Sequence, residues 1–477
     1  MKTLLLNPPS FENFDGGAGS RWPARREIRS FWYPTWLAYP AGLIPESRLL
    51  DAGPHGVTPQ ETMEIAKDYE FLVLFTSTPG FSNDLRLAEM IRDRNPRIKT
   101  AFVGPHVSVM PEESLHAGGV IDFVVRKEFD YAVAEFARGK PLEDIQGISF
   151  RKNGQVMHTQ DRPPLEDLDS LPFAVDIYKR DLDITKYNIP FLGHPYLSFY
   201  TSRGCPARCS FCLWPQTFSG HRWRTRTPAN AAAEAKRAFE LFPGLKEVFF
   251  DDDTFAWGKE RTLAMCKELK PMKLNWSCNC RVHADYETLK GMKEAGCRLL
   301  VVGFESGNAQ ILKNVTKGAT LEQARRFIKN CRDLGLVVHG DYIIGLPGET
   351  RETIRETMRF AEEMDTETIQ VSVAHPFPGT ELYRWFESQG CLTNDAMLDE
   401  GGHQLPNFQY PGLSRQEIVE AVEDFYGRYY FRPKVIYRIL RRAMFNRDDR
   451  ARLYKEARDY LELRAKRKKF TSRESGA

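Results

Sequence analysis

Cys205, Cys209 and Cys212 stand together in Thr201-Ser-Arg-Gly-Cys-Pro-Ala-Arg-Cys-Ser-Phe-Cys212, a C-x3-C-x2-C spacing. Clustered thiolates are soft ligands, the kind used by iron–sulfur clusters and zinc. A structural zinc closes four ligands, and no fourth Cys or His lies at finger spacing: His221 is nine residues past Cys212 and Cys266 is much further. Three thiolates instead suit a [4Fe–4S] cube with one iron left open to bind a cofactor or substrate directly. The competing reading, a buried cysteine trio or a zinc knuckle, is disfavoured by the position of the trio in a loop that follows a strand pattern. Cys278 and Cys280 alternate on a strand and so share a face. They read as small core residues, with ligation of an auxiliary cluster as the alternative, and Cys266, Cys297, Cys331 and Cys391 read the same way.

Other residues able to do chemistry end apolar runs. Phe250-Asp-Asp-Asp-Thr-Phe255 follows Glu247–Phe250, Arg281 follows Asn275–Cys280, and Glu305-Ser-Gly307 follows Leu299–Phe304. An Asp at such a place is also a common helix N-cap. From Leu197 onward, strand and helix patterns alternate, with strands expected at Leu197–Thr201, Glu247–Phe250, Asn275–Cys280, Leu299–Phe304, Val337–Ile344 and Thr368–Ala374. Six such units are too few for the eight-stranded barrel, so an incomplete (β/α)6 barrel is expected, its chemistry at the carboxyl ends of the strands.

Upstream, residues 1–140 also alternate strands and helices: Lys2–Asn7, Phe71–Thr76, Thr100–Val103 and Ile121–Val125 as strands, Tyr39–Leu50 and Asn83–Asp93 as helices. This is the pattern of a Rossmann-like α/β domain, which binds ligands beyond the carboxyl ends of its strands. No G-x-G-x-x-G follows the first strand, which argues against a dinucleotide site. Residues 141–194 read as a connector with a hairpin around Lys152-Asn153-Gly154, 195–420 as the barrel core and 421–477 as a basic helical region.

The composition, 42% hydrophobic and 27% charged over 477 residues, excludes a disordered or fibrous chain. No apolar run approaches the ~20 residues of a membrane span, and Leu4–Leu6 is too short for a signal peptide. A cytoplasmic protein is expected, in which nine cysteines, an odd number, favour metal chemistry over disulfides. The net charge of +3 conceals an asymmetry, because Lys and Arg far outnumber Asp and Glu from Arg428 to Arg473.

The cysteine motif resembles that of the radical S-adenosylmethionine superfamily, and the resemblance extends over residues 195–420. It implies a [4Fe–4S] cluster ligated by Cys205, Cys209 and Cys212, whose open iron chelates S-adenosylmethionine and whose electron releases a 5′-deoxyadenosyl radical. It further implies that Phe211 packs on the adenine and that Asp252 and Asp253 lie near the cofactor's amine. Arg281, Glu305 and Ser306 would help to position its carboxylate and ribose. Gly345, in the fifth strand's His339-Gly-Asp-Tyr-Ile-Ile-Gly-Leu-Pro-Gly-Glu-Thr350, would lie beside the adenine. Glu349 departs from the family's spacing and carries no implied contact. Ala374–Thr380, AHPFPGT, resembles the sixth-strand motif of one subgroup.

The same subgroup places a cobalamin-binding domain first. Leu4–Pro9, Tyr39–Leu43 and Gly104–Glu113 (GPHVSVMPEE) carry that resemblance, which points to Asn7, Pro8, Gly104, His106 and Ser108 as loop residues facing a corrin. The D-x-H-x-x-G signature of a cobalt-ligating histidine is absent, so the domain either holds cobalamin without a protein ligand or binds none. Arg203–Gln216, His221–Arg226 and the basic C-terminal region resemble hopanoid-biosynthesis members. That resemblance implies ring contraction of a lipid-linked amino sugar to a cyclitol ether, with no substrate-acting side chain identifiable. The basic region would then touch the inner membrane face as a peripheral contact, or be only a solvated helix face. A flavodoxin- or ferredoxin-class donor would supply the electron. The alternatives are a cobalamin-dependent radical C-methyltransferase and a non-enzymatic iron–sulfur redox sensor. Transfer-RNA methylthiolation, and nucleic acid as a partner, are disfavoured because no cysteine precedes Cys205.

Overall fold

The structure, a computed structural model, describes residues 1–11, 30–393, 397–398 and 405–445, together with 450, 453–454 and 458. Two sheets carry the fold. The first comprises β1 (Thr3–Asn7), β2 (Ser47–Asp51), β3 (Phe71–Phe75), β4 (Lys99–Val103), β5 (Phe123–Val125), β6 (Ile148–Lys152) and β7 (Gln155–His158), in spatial order 2-1-3-4-5-6-7. β1 to β5 are parallel and β6 and β7 are antiparallel. Alternate residues of these buried runs feed two cores. Leu5, Val73 and Val103 face helices Thr35–Leu43 and Asp130–Ala137, whereas Leu4, Leu6, Leu72 and Leu74 face helix Phe81–Arg94. Strand order reverses between β1 and β3, the place where open α/β sheets bind ligands.

One expectation needs correction. Tyr39–Leu50 is not one helix: the helix is Thr35–Leu43, and Ser47–Asp51 is the edge strand β2, in parallel register with Thr3–Asn7. Pairing with β1 and burial of Leu49 and Leu50 outweigh the local helical pattern. The hairpin forms as expected, with Asn153 and Gly154 both at positive φ (53° and 81°), and it extends the first sheet.

Two residues each form β9 (Ser202–Arg203) and β10 (Arg224–Thr225), an antiparallel ribbon that closes the cysteine loop. The second sheet is made of β8 (Tyr196–Phe199), β11 (Glu247–Phe250), β12 (Trp276–Cys280), β13 (Cys297–Glu305), β14 (Val337–Ile344) and β15 (Thr368–Val373). All six are parallel and neighbours follow chain order, so the sheet is an unclosed, partial barrel with β8 and β15 at its edges.

Unpaired edge strands invite association, and tyrosine hydroxyls satisfy both edges here. Tyr33 and Tyr178 donate to the carbonyls of Tyr196 and Ser198 on β8 at 2.7 and 3.0 Å. On β15, the Ile369 and Val371 amides donate to the hydroxyls of Tyr430 and Tyr426, in helix Arg415–Tyr430, at 3.1 and 2.9 Å. The N-terminal segment and the C-terminal helix thus frame the barrel from opposite sides. Among the described residues, no helix is long and apolar enough to cross a membrane. The expected basic helix beyond Phe445 lies almost wholly outside them.

Candidate active site

The cysteine loop is built by three local devices. Gly204 has φ +82°, and a Cβ there would fall 2.3 Å from the Arg222 carbonyl oxygen, so only glycine lets the loop pass under its own return strand. The Cys205 amide donates to Gly220 at 3.2 Å, and His221 Nδ1 lies 3.1 and 3.0 Å from the carbonyls of Cys205 and Ala207. That second contact fixes the loop's first turn. Gln216 Nε2 then gathers three carbonyls, those of Cys209, Ser210 and Cys212, at 3.2, 3.0 and 2.8 Å.

Cys205, Cys209 and Cys212 line one cavity of about 200 Å³ in the barrel mouth. Among the described residues, no three Cys, His, Asp or Glu side chains converge to hold a single metal ion. The trio nonetheless fits a [4Fe–4S] cluster, for which three soft thiolates facing one cavity would each hold one iron. Burial pushes the Cys205 thiol up to about 11, a burden that iron ligation removes by holding the thiolate. Arg281 donates from Nη1 to Cys209 Sγ at 3.6 Å, so a cation stands against the trio.

In the same cavity, the bulge between Gly303 and Glu305 ends β13 with Glu305 at φ +65°. Its carboxylate accepts from Lys317 Nζ at 2.6 Å, both side chains being buried in the cavity wall. A non-glycine residue in that backbone region marks a site where strain is maintained by its surroundings.

Not every expected residue faces the cavity. Phe211, Asp253, Arg281 and Glu305 do; Asp252, Ser306 and Gly345 do not. Asp252 is fully buried and accepts from the Thr201 and Ser202 amides at 2.6 and 2.8 Å and from the Thr201 hydroxyl. It is a tie between the ends of β8 and β11, and its neighbour Asp251 lines the cavity instead. Ser306 shares a hydrogen bond with Thr357 at 3.1 Å in the helix layer. Gly345, at φ +92°, donates its amide to Glu349, and a Cβ there would lie 2.6 Å from the Phe408 ring. Glu349, to which no contact had been attributed, thus braces the turn after β14.

Sequence reading missed Lys317, Asp251 and the inner face of β14 and β15. His339 Nε2 lies 3.2 Å from Asp341, its Nδ1 is 2.6 Å from the Thr368 hydroxyl, and Phe191 stacks on the ring at 3.9 Å. With Gln370 and Ser372 they line the same cavity, whose wall also includes the apolar Trp32 and Val301. The alternation of His339 and Asp341 along a strand was the available signal.

In the N-terminal domain, Asn7, Pro8, Gly104, His106 and Ser108 all lie at or beyond the carboxyl ends of β1 and β4. Asn7 donates to Asp51 at 2.6 Å, and Ser108 donates to the Gly104 carbonyl at 2.7 Å while accepting from the Lys127 amide at 2.8 Å. His106 Nδ1 is 3.2 Å from the Thr78 hydroxyl and its ring lies 4.4 Å from Phe81; burial brings its pKa down to about 4. These contacts shape the loops of the switch-point edge. Helix Pro105–Val109 packs directly on Leu213–Thr217, the segment after Cys212. A Cβ at Gly379, in the loop after β15, would fall 2.6 Å from Val109 Cγ1. The carboxyl ends of the two sheets therefore meet beside the cysteine loop.

Comparison with known proteins agrees with this geometry. Residues 199–361 match the Radical SAM superfamily and residues 21–137 match the B12 binding domain. The chain is 29% identical over 453 residues to an uncharacterized methyltransferase of Pyrococcus horikoshii, covering 91% of this chain and 94% of that protein. It is 26% identical to the anaerobic magnesium-protoporphyrin IX monomethyl ester cyclase of Rubrivivax gelatinosus, covering 90% and 77%. The radical S-adenosylmethionine methyltransferase TsrM from Kitasatospora setae, solved with cobalamin and a [4Fe–4S] cluster bound, superposes with a TM-score of 0.67 at 17% identity, covering 91% and 89%. The chain thus carries a radical S-adenosylmethionine core behind a B12-binding domain, with a [4Fe–4S] cluster and S-adenosylmethionine as the cofactors of the core. The hopanoid-specific resemblance finds no support in these comparisons.

Proposed function

We propose that the protein is a cobalamin-dependent radical S-adenosylmethionine methyltransferase acting on carbon of a small-molecule substrate. The observation that carries this reading is the packing of Pro105–Val109 on Leu213–Thr217, which brings the ligand-binding edge of a corrin-type domain against the cysteine loop. Relatives named as methyltransferases support methyl transfer over ring contraction.

When bound, the cluster would supply one-electron cleavage of one S-adenosylmethionine, giving methionine and the 5′-deoxyadenosyl radical, and the corrin would carry the methyl group of a second, which leaves as S-adenosylhomocysteine. The chain's own residues do the rest. Cys205, Cys209 and Cys212 would ligate the cluster, and Gln216 and His221 keep their loop in one conformation. Arg281 and the Glu305–Lys317 pair would offer charges of both signs to the cofactor's amino and carboxylate groups. Phe211, Trp214 and Phe377 exclude water from the mouth. His339, Asp341, Gln370 and Ser372 give the substrate hydrogen-bonding partners on the inner strands. A flavodoxin- or ferredoxin-class donor delivers the electron.

The test is anaerobic reconstitution with iron, sulfide and hydroxocobalamin, then incubation with small-molecule extract and S-adenosylmethionine deuterated at its methyl group. A metabolite that acquires the deuterated methyl supports the reading. Products that are only rearranged or dehydrogenated would overturn it.

A further inference from the structure

We propose that helix Pro433–Phe445 seats the protein on an anionic membrane surface, an inference independent of the reaction proposed above. The helix is held to the barrel by one face. Val435 is fully buried, and Arg432 and Lys434 reach Asp365 at 3.2 and 2.5 Å. Arg438 donates to the carbonyls of Thr366 and Glu367 at 2.9 and 3.2 Å. These contacts fix the rotation of the helix about its axis.

The opposite face is thereby turned outward, and it is apolar. Tyr437, Leu440 and Met444 are 66%, 57% and 63% exposed, and Ile436 and the preceding Phe431 extend the patch. At 3.6 residues per turn, Tyr437, Leu440 and Met444 fall within an arc of ~60°, which Ile436 widens to ~100°. Scattered exposed apolar residues need no explanation, but a contiguous stripe marks an interaction surface.

Charge identifies the occupant. Arg441 is exposed at the edge of the stripe, and Arg450 and Arg458 are exposed further on. From Arg428 to Arg473, Lys and Arg far outnumber Asp and Glu. An apolar stripe with basic flanks suits the interface of an anionic bilayer, where the stripe enters the headgroup region and the cations meet lipid phosphates. A nucleic acid would match the cations and leave the stripe in water.

The test is co-sedimentation of the full-length protein with vesicles of phosphatidylcholine alone or mixed with phosphatidylglycerol. Binding to the anionic vesicles should be at least ~10-fold tighter, and should weaken near 1 M salt, where the Debye length falls to ~3 Å. Leu440→Asp and Tyr437→Asp, at exposed positions with unchanged thermal unfolding, should each lower that binding ~10-fold. Equal affinity for both vesicle types, or unchanged binding by Leu440→Asp, would overturn the proposal. So would a protein that ignores vesicles but is a dimer that Leu440→Asp dissociates.

Discussion

The Arg203 guanidinium lies against Asp130 with Nη1 and Nη2 2.7 and 3.0 Å from the two carboxylate oxygens. Arg203 belongs to the ribbon that frames the cysteine loop, and Asp130 opens a helix of the N-terminal domain. Both are buried, Arg203 also stacks on Trp36, and Glu128 and Arg224 form a second pair alongside. The two domains are thus joined by a desolvated charge cluster next to the site. Removing one member leaves its partner's charge buried, which costs on the order of 3–5 kcal/mol. Asp130→Ala should therefore lower thermal stability by that order. It should also impair product formation more than uncoupled S-adenosylmethionine cleavage, because the cavity's own residues stay in place. Equal losses in both activities would show that the pair serves stability alone.

The cysteines should be separable from the fold. Cys205→Ala, Cys209→Ala and Cys212→Ala should each abolish the cluster's visible absorbance and 5′-deoxyadenosine formation with far-ultraviolet circular dichroism retained. Cys266→Ser, a buried residue outside the cavity, should leave the absorbance unchanged.

Gly204→Ala tests the loop's geometry. The added Cβ meets the Arg222 carbonyl in a left-handed conformation. The combined strain and overpacking should destabilise the protein by roughly 2–4 kcal/mol. Reconstituted protein should also hold less iron, as measured by metal analysis.

Burial raises the Glu349 carboxyl to about 8. The folded state therefore binds a proton that the unfolded state releases near the usual Glu value. The stability from this group is complete below about pH 4 and is lost as pH rises toward 8, at no more than ~1.4 kcal/mol per pH unit. Glu349→Gln still offers an oxygen to the Gly345 amide and should flatten the fall in melting temperature between pH 5 and 8. An unchanged slope would locate that dependence elsewhere.

What the sequence made legible follows from locality. The cysteine trio is legible as a group by its own spacing, and the six barrel strands are legible as strand-like segments recurring between helical patterns, most plainly in Glu247–Phe250 and Cys297–Glu305. β2 did not, because five residues, Ser47–Asp51, become a strand only through their register with β1. Which of the aspartates after β11 reach the cavity was not legible, since Asp252 turns to the backbone while Asp251 and Asp253 line the cavity. Lys317 joins Glu305 across a bulge, Arg203 joins Asp130 across 73 positions, and the tyrosine seals bind strands distant in the chain. No local pattern encodes such pairings.

The central claim is that the corrin-type domain and the radical core work as one methyl-transfer unit, and an accounting of S-adenosylmethionine products tests it most directly. Protein reconstituted anaerobically with cluster and cobalamin, then reduced, should form S-adenosylhomocysteine, about one equivalent per bound corrin even without acceptor, alongside 5′-deoxyadenosine. Protein prepared without corrin should form 5′-deoxyadenosine alone. Corrin-loaded protein that yields 5′-deoxyadenosine and no S-adenosylhomocysteine would contradict the account.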